Sequence, residues 1–157
     1  MHVPRFEKIW IGLGLATMAA FFITLVTLAV ASGLNPPSTD GMTIDPTKVS
    51  QTPPFDKPGL HQSGPHTYEA YYVGQIFQWN PQQITVPAGS TVKFFVTSVD
   101  VVHGFSIPDA DVNVEVMPGW VSEVDHTFKE PGNYLIVCNQ YCGAGHAGMF
   151  ASVKVTP

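Results

Sequence analysis

The chain has 157 residues, enough for one small domain and one further segment. Charged residues make up only 12%, and the formal net charge is −5 at neutral pH. An acidic chain without a basic run excludes binding to a phosphate backbone, so no nucleic-acid partner is expected.

Residues 1–8 form a short tail holding Arg5, Glu7 and Lys8. Residues 9–31, IWIGLGLATMAAFFITLVTLAVA, carry no charge. As a helix they cover roughly 34 Å, enough for a hydrocarbon core of about 30 Å. Gly12 and Gly14 suit a soluble helix poorly but are tolerated in lipid. A cleaved signal peptide is the competing reading, because Ala29-Val30-Ala31 resembles a cleavage site. The apolar core of a signal runs about 7–15 residues, however, so a retained single-pass anchor in the plasma (inner) membrane is expected. Arg5 and Lys8 precede the anchor and the first charge after it is Asp40. Basic flanks stay inside, so the N-terminus should be cytoplasmic and the rest of the chain periplasmic or otherwise outside. That outer part carries five lysines against eleven carboxylates, net −6, which favours a basic partner.

Residues 32–66 hold seven of the fourteen prolines and read as an extended linker lying over the domain or membrane surface. From 67 to 157 the runs TYEAYYVGQIF, QITV, TVKFFVTS, VNVEV, WVSEVDHTF, NYLIVC and FASVKV are rich in β-branched and aromatic residues. Turn signals such as Pro87-Ala88-Gly89, Pro118-Gly119 and Glu130-Pro131-Gly132 separate them. Short strands at such spacing predict an all-β sandwich or barrel.

Both cysteines fall in one twelve-residue stretch, CNQYCGAGHAGM, from Cys138 to Met149. Individually its residues have plain readings: a disulfide, a surface histidine (His146) and a core methionine (Met149). Together they place two thiols, an imidazole and a thioether in one glycine-punctuated turn. Thiolate and thioether are soft donors and imidazole is borderline, a set that suits copper. A mononuclear blue-copper site uses one cysteine and two histidines, so here there is a thiolate too many. Two thiolates can bridge two copper ions, provided a second histidine arrives from elsewhere. His103, in SVDVVHGF, follows a strand and precedes Gly104, where a loop can aim it at the turn. His126 alternates within a strand pattern, His61 and His66 lie in the linker, and His2 lies in the tail.

SVDVVHGF followed by CNQYCGAGHAGM resembles subunit II of haem–copper cytochrome c oxidases over nearly the whole chain. The single anchor and CNQYCG are most similar to the B-type oxidases. The resemblance implies a cupredoxin-like Greek-key sandwich behind one transmembrane helix, with a dinuclear Cu-A centre. It implies that Cys138 and Cys142 bridge two coppers, that His103 and His146 bind one each, and that Met149 and the backbone carbonyl of Gln140 are axial ligands. A-type relatives carry a glutamate where this chain has Gln140, so no magnesium site is expected. The implied role is electron input to a respiratory oxidase. Electrons would come from cytochrome c or a small copper protein and pass to haem in subunit I, where O2 is reduced and protons are translocated. No haem is expected in this chain. Phe77 and Trp79, in QIFQWNPQ, resemble the aromatic docking region for the donor. Asp109, Asp111, Glu115, Glu123 and Asp125 can steer a basic donor or form an ordinary solvated face. Asp100 can hydrogen-bond near His103 or cap a turn. Glu7 resembles a carboxylate at the mouth of a proton channel shared with subunit I, or is a plain juxtamembrane charge. The alternative function is a membrane-anchored copper-delivery protein, which needs an exposed, exchangeable site.

Overall fold

A computed structural model describes residues 4–31 and 42–157. The chain divides into two compact units, one holding an N-terminal helix and one holding all the strands.

The helix α1 spans Arg5–Ala31. It begins before the uncharged run, directly after Pro4, whose carbonyl accepts the Lys8 N–H. Its 27 residues cover about 40 Å, enough to cross a membrane. It is apolar all round and buries none of its residues within the chain. Thr17, Thr24 and Thr27 turn their hydroxyls back onto the carbonyls of Leu13, Ala20 and Ile23 at 2.8–2.9 Å. Each hydroxyl is thereby satisfied inside the helix, as lipid requires.

The second unit is a sandwich of two five-stranded sheets, as the strand pattern predicts. Its strands are β1 Gly59–Gly64, β2 Thr67–Gln75, β3 Gln78–Asn80, β4 Gln83–Pro87, β5 Ser90–Ser98, β6 His103–Ile107, β7 Val112–Val116, β8 Ser122–Phe128, β9 Gly132–Cys138 and β10 Phe150–Thr156. One sheet runs β1-β2-β5-β8, with β3 paired to β2; the other runs β4-β10-β9-β6-β7. β2 and β5 are parallel, as are β4 and β10, and the remaining pairs are antiparallel. Alternation puts side chains in the core: Val112, Val114 and Val116 of β7 point inward while Asn113 and Glu115 face solvent. Phe105 is the centre of an aromatic cluster, with ring centroids 5.2 Å from Trp79, 5.2 Å from Tyr72 and 5.5 Å from Phe94.

Two boundaries differ from the sequence reading. The first concerns 32–66. Within that stretch Ile44, Val49 and Phe55 are buried against Val73, Phe95 and Val121, and β1 pairs with β2. The reason is the other face of β2 and β5. It carries Tyr71, Val73 and Phe95 where a solvated face would be polar, and the proline-rich chain supplies the cover. The second difference is the expected strand 67–77, which ends at Gln75. A turn at Ile76-Phe77 then reverses the chain into β3.

Candidate metal centre

The cysteine turn is an excursion from an antiparallel pair. β9 ends at Cys138 and β10 begins at Phe150, with Phe150 opposite Val137. The Cys138 N–H donates to the Met149 carbonyl at 3.1 Å and closes the base of the loop. Within it Gly143 takes φ +133°, and His146–Gly148 form a short 3-10 turn. β6 lies beside β9, with Phe105 opposite Cys138, and this carries His103 to the loop. His103 is the first residue of β6 and fully buried, where the sequence suggested a loop histidine.

The predicted ligand atoms converge. Cys138 Sγ lies 3.8 Å from Cys142 Sγ, 3.8 Å from His103 Nδ1 and 3.2 Å from the Gln140 carbonyl oxygen. Cys142 Sγ lies 3.5 Å from His146 Nδ1 and 3.7 Å from Met149 Sδ. The two thiols are free, which sets aside the disulfide reading in this structure. Ligand atoms of His103, Cys138 and Cys142 all sit within 4.8 Å of one another. Sulfurs 3.8 Å apart are close enough for one ion to touch both at about 2.3 Å. The donor set therefore fits a soft or borderline transition metal, and its hard-oxygen content is one backbone carbonyl. Burial, and then the neighbouring Cys138, pushes the Cys142 thiol up to about 11. A metal ion must displace that proton to bind.

Asp100 aims His103. Its carboxylate accepts from His103 Nε2 at 2.9 Å, from the Val101 N–H at 2.6 Å and from the Ile76 N–H at 2.7 Å. Both roles weighed for Asp100 are thus present. Burial alone would raise the pKa of this carboxyl, but the hydrogen bonds from His103, Ile76 and Val101 outweigh it and hold it below the ordinary value. With Nε2 donating to Asp100, His103 keeps the Nδ1 lone pair toward Cys138.

The two expected docking aromatics separate. Phe77 is 36% exposed and its ring rests on Gly143 and Gly145; a Cβ at Gly145 would collide with it. Trp79 is fully buried, its ring 5.7 Å from that of His103, so it presents nothing to a partner. The reason is strand parity. In β3 only Trp79 points inward, flanked by exposed Gln78 and Asn80.

The acidic set is also divided. Asp109, Asp111 and Glu115 are exposed at and beside β7, whereas Glu123 of β8 is ion-paired with Lys93. Glu7 lies exposed in the first turn of α1. Beside the ligand loop, Leu135, Val137, Ala147 and Phe150 wall a hollow of about 310 Å³ that reaches Cys138, His146 and Met149.

Residues 73–156 match the family model for the cytochrome c oxidase subunit II periplasmic domain. The chain is 41% identical to a cytochrome c oxidase subunit 2 of Thermus thermophilus, over 98% of this chain and 93% of that protein. A second Thermus thermophilus cytochrome c oxidase subunit 2 is 46% identical, over 71% of this chain and 84% of that protein. Among solved structures, a chain of a heme-copper terminal oxidase dimer superposes with a TM-score of 0.78 at 31% identity, covering 96% of this chain and 99% of that one. The periplasmic domain of subunit II of cytochrome oxidase from Bradyrhizobium japonicum superposes with a TM-score of 0.52 at 21% identity, over 56% of this chain and 83% of that one, and shares the fold.

Proposed function

The chain belongs to the cytochrome c oxidase subunit II family, the electron-input subunit of haem–copper terminal oxidases, and on that premise we propose that its cysteine loop holds a dinuclear copper centre. One observation carries the reading: each of the two sulfurs has one imidazole nitrogen and one weak donor beside it. Cys138 has one imidazole, His103 Nδ1, and one weak donor, the Gln140 carbonyl. Cys142 has one imidazole, His146 Nδ1, and one weak donor, Met149 Sδ. Two copper ions sharing both sulfurs would find two imidazoles and two weak donors beside them. The bound pair of ions supplies a one-electron redox couple. The protein's part is to keep that couple nearly unchanged in geometry as it cycles. His103 and Cys138 are fixed on paired strands, Asp100 sets the imidazole, and burial excludes water from the sulfurs.

Phe77 is the proposed contact for a cytochrome c or small copper protein donor, since it alone of the two aromatics reaches the surface against the ligand loop. The exposed Asp109, Asp111 and Glu115 favour a basic donor. Subunit I, the haem-bearing partner, would receive the electrons. Arg5 and Lys8 support a cytoplasmic N-terminus and an outer sandwich domain, with Glu7 beside the proton channel of the partner. A delivery protein would need an exchangeable site, and the full burial of His103 argues against one.

The test is copper loading of the full-length chain in detergent. Two coppers per chain, with the electron paramagnetic resonance pattern of one electron shared by two equivalent copper nuclei, is the expected result. One copper with the simpler pattern of a single nucleus sinks the dinuclear reading. Rapid loss of copper to a chelator would favour delivery.

A further inference from the structure

Gln140 offers the centre only its backbone carbonyl, 3.2 Å from Cys138 Sγ. The residue itself is exposed and outside any strand, so its own burial does not hold that peptide in place. Its neighbour Asn139 is held at two points. The Asn139 N–H donates to the Gly104 carbonyl at 3.2 Å, and the Asn139 side-chain Nδ2 donates to Asn113 Oδ1 at 3.0 Å. Asn113 is an outward residue of β7, and β6 lies between β7 and β9. The amide pair therefore reaches across β6 at Gly104, next to His103. A Cβ on Gly104 would collide with Asn139 Oδ1 and come within 2.8 Å of Gln140 Cγ and 3.0 Å of Gln140 N.

We infer that Asn113, Asn139 and Gly104 form a clamp that positions the Gln140 carbonyl on the metal centre. The inference rests on the copper reading above. Asn113 and Gly104 are positioning residues acting through Asn139, two peptide units before the Gln140 carbonyl. A neutral hydrogen bond is worth a net of about 1 kcal/mol. That is too little to decide the fold, but it biases the conformation of the chain at Asn139, and with it the aim of the following Gln140 carbonyl, about fivefold. The clamp should thus tune the centre without deciding whether metal binds.

The test uses the full-length chain in detergent with Asn113→Ala, Asn113→Asp and Gly104→Ala. Asn113→Asp keeps the acceptor oxygen and serves as the conservative rescue. In metal-free protein, hydrogen exchange at the Asn139 amide should quicken roughly fivefold in Asn113→Ala and stay at the parent rate in Asn113→Asp. After loading, Asn113→Ala and Gly104→Ala should bind as much copper as the parent. Their visible bands and reduction potential should shift in the same direction, while the visible bands of Asn113→Asp follow the parent. Bands and potential in Asn113→Ala that superimpose on the parent overturn the inference. If Gly104→Ala does not fold, Asn113→Ala decides alone. A parent chain that takes up no copper overturns the copper reading instead, and the exchange rates still decide whether the clamp exists.

Discussion

Asp100 shows how much one carboxylate can organise. It ties His103 to the turn at Ile76 and caps the Ser98–Val101 segment, so imidazole tautomer and loop shape depend on the same group. Asp100→Asn keeps the size but removes the charge. Outer-shell partners of this kind are worth roughly 10–100-fold in metal affinity. The variant is expected to lose that much copper affinity in a chelator competition; an unchanged affinity would show that packing alone aims His103. His126 illustrates the opposite case, an imidazole outside the centre. It is half-buried on β8, 4.7 Å from the Phe128 ring, and burial lowers its pKa despite the nearby Asp125 and Asp111. The unfolded chain then binds a proton more readily than the folded one, so stability should fall as pH drops through the ordinary imidazole range. Urea midpoints measured above and below that range should differ less for His126→Gln than for the parent.

At the scale of elements, the strands follow their alternation, and the ligand loop follows from two antiparallel neighbours that end at the same level. The proline-rich segment is the informative case, because apolar side chains anchor it. Proline there blocks helix and removes donors, but it does not stop Ile44, Val49 and Phe55 from covering Val73, Phe95 and Val121. This cover also contacts the turn region, since Val49, Phe55, Val73, Gln75 and Val99 share a cavity of about 210 Å³. Phe55 meets the Tyr71 ring edge-on at 5.4 Å. Phe55→Ala should cost about 3–5 kcal/mol, the usual range for a buried phenylalanine. The melting temperature should fall by more than about 6 °C, and proteolysis should begin in residues 42–58. A cut site elsewhere would mean the segment is held by β1 pairing rather than by its apolar anchors.

For the molecule as a whole, the metal centre stands at the junction of β6, β9 and the loop before β10, so occupancy should stabilise the sandwich and leave the helix unaffected. A ligand at about 100 times its dissociation constant adds about 2.7 kcal/mol to stability. Copper loading should therefore raise the thermal transition of the strand domain in calorimetry while helix ellipticity stays constant; equal transitions with and without copper would place the metal outside the folded core. Much of this was legible in order along the chain. An uncharged run long enough for a bilayer, period-two alternation, and the spacing Cys-x3-Cys-x3-His-x2-Met are local patterns, and local patterns survive in one dimension. The burial of Trp79, the reach of Asp100 to Ile76 across 24 positions, and that of Asn139 to Asn113 across 26 are not local. Strand pairing and side-chain parity decide them, and these exist only once distant segments lie side by side. The sequence by itself determined which atoms can bind metal; the tertiary structure decided which of their neighbours hold them in place and which face the solvent.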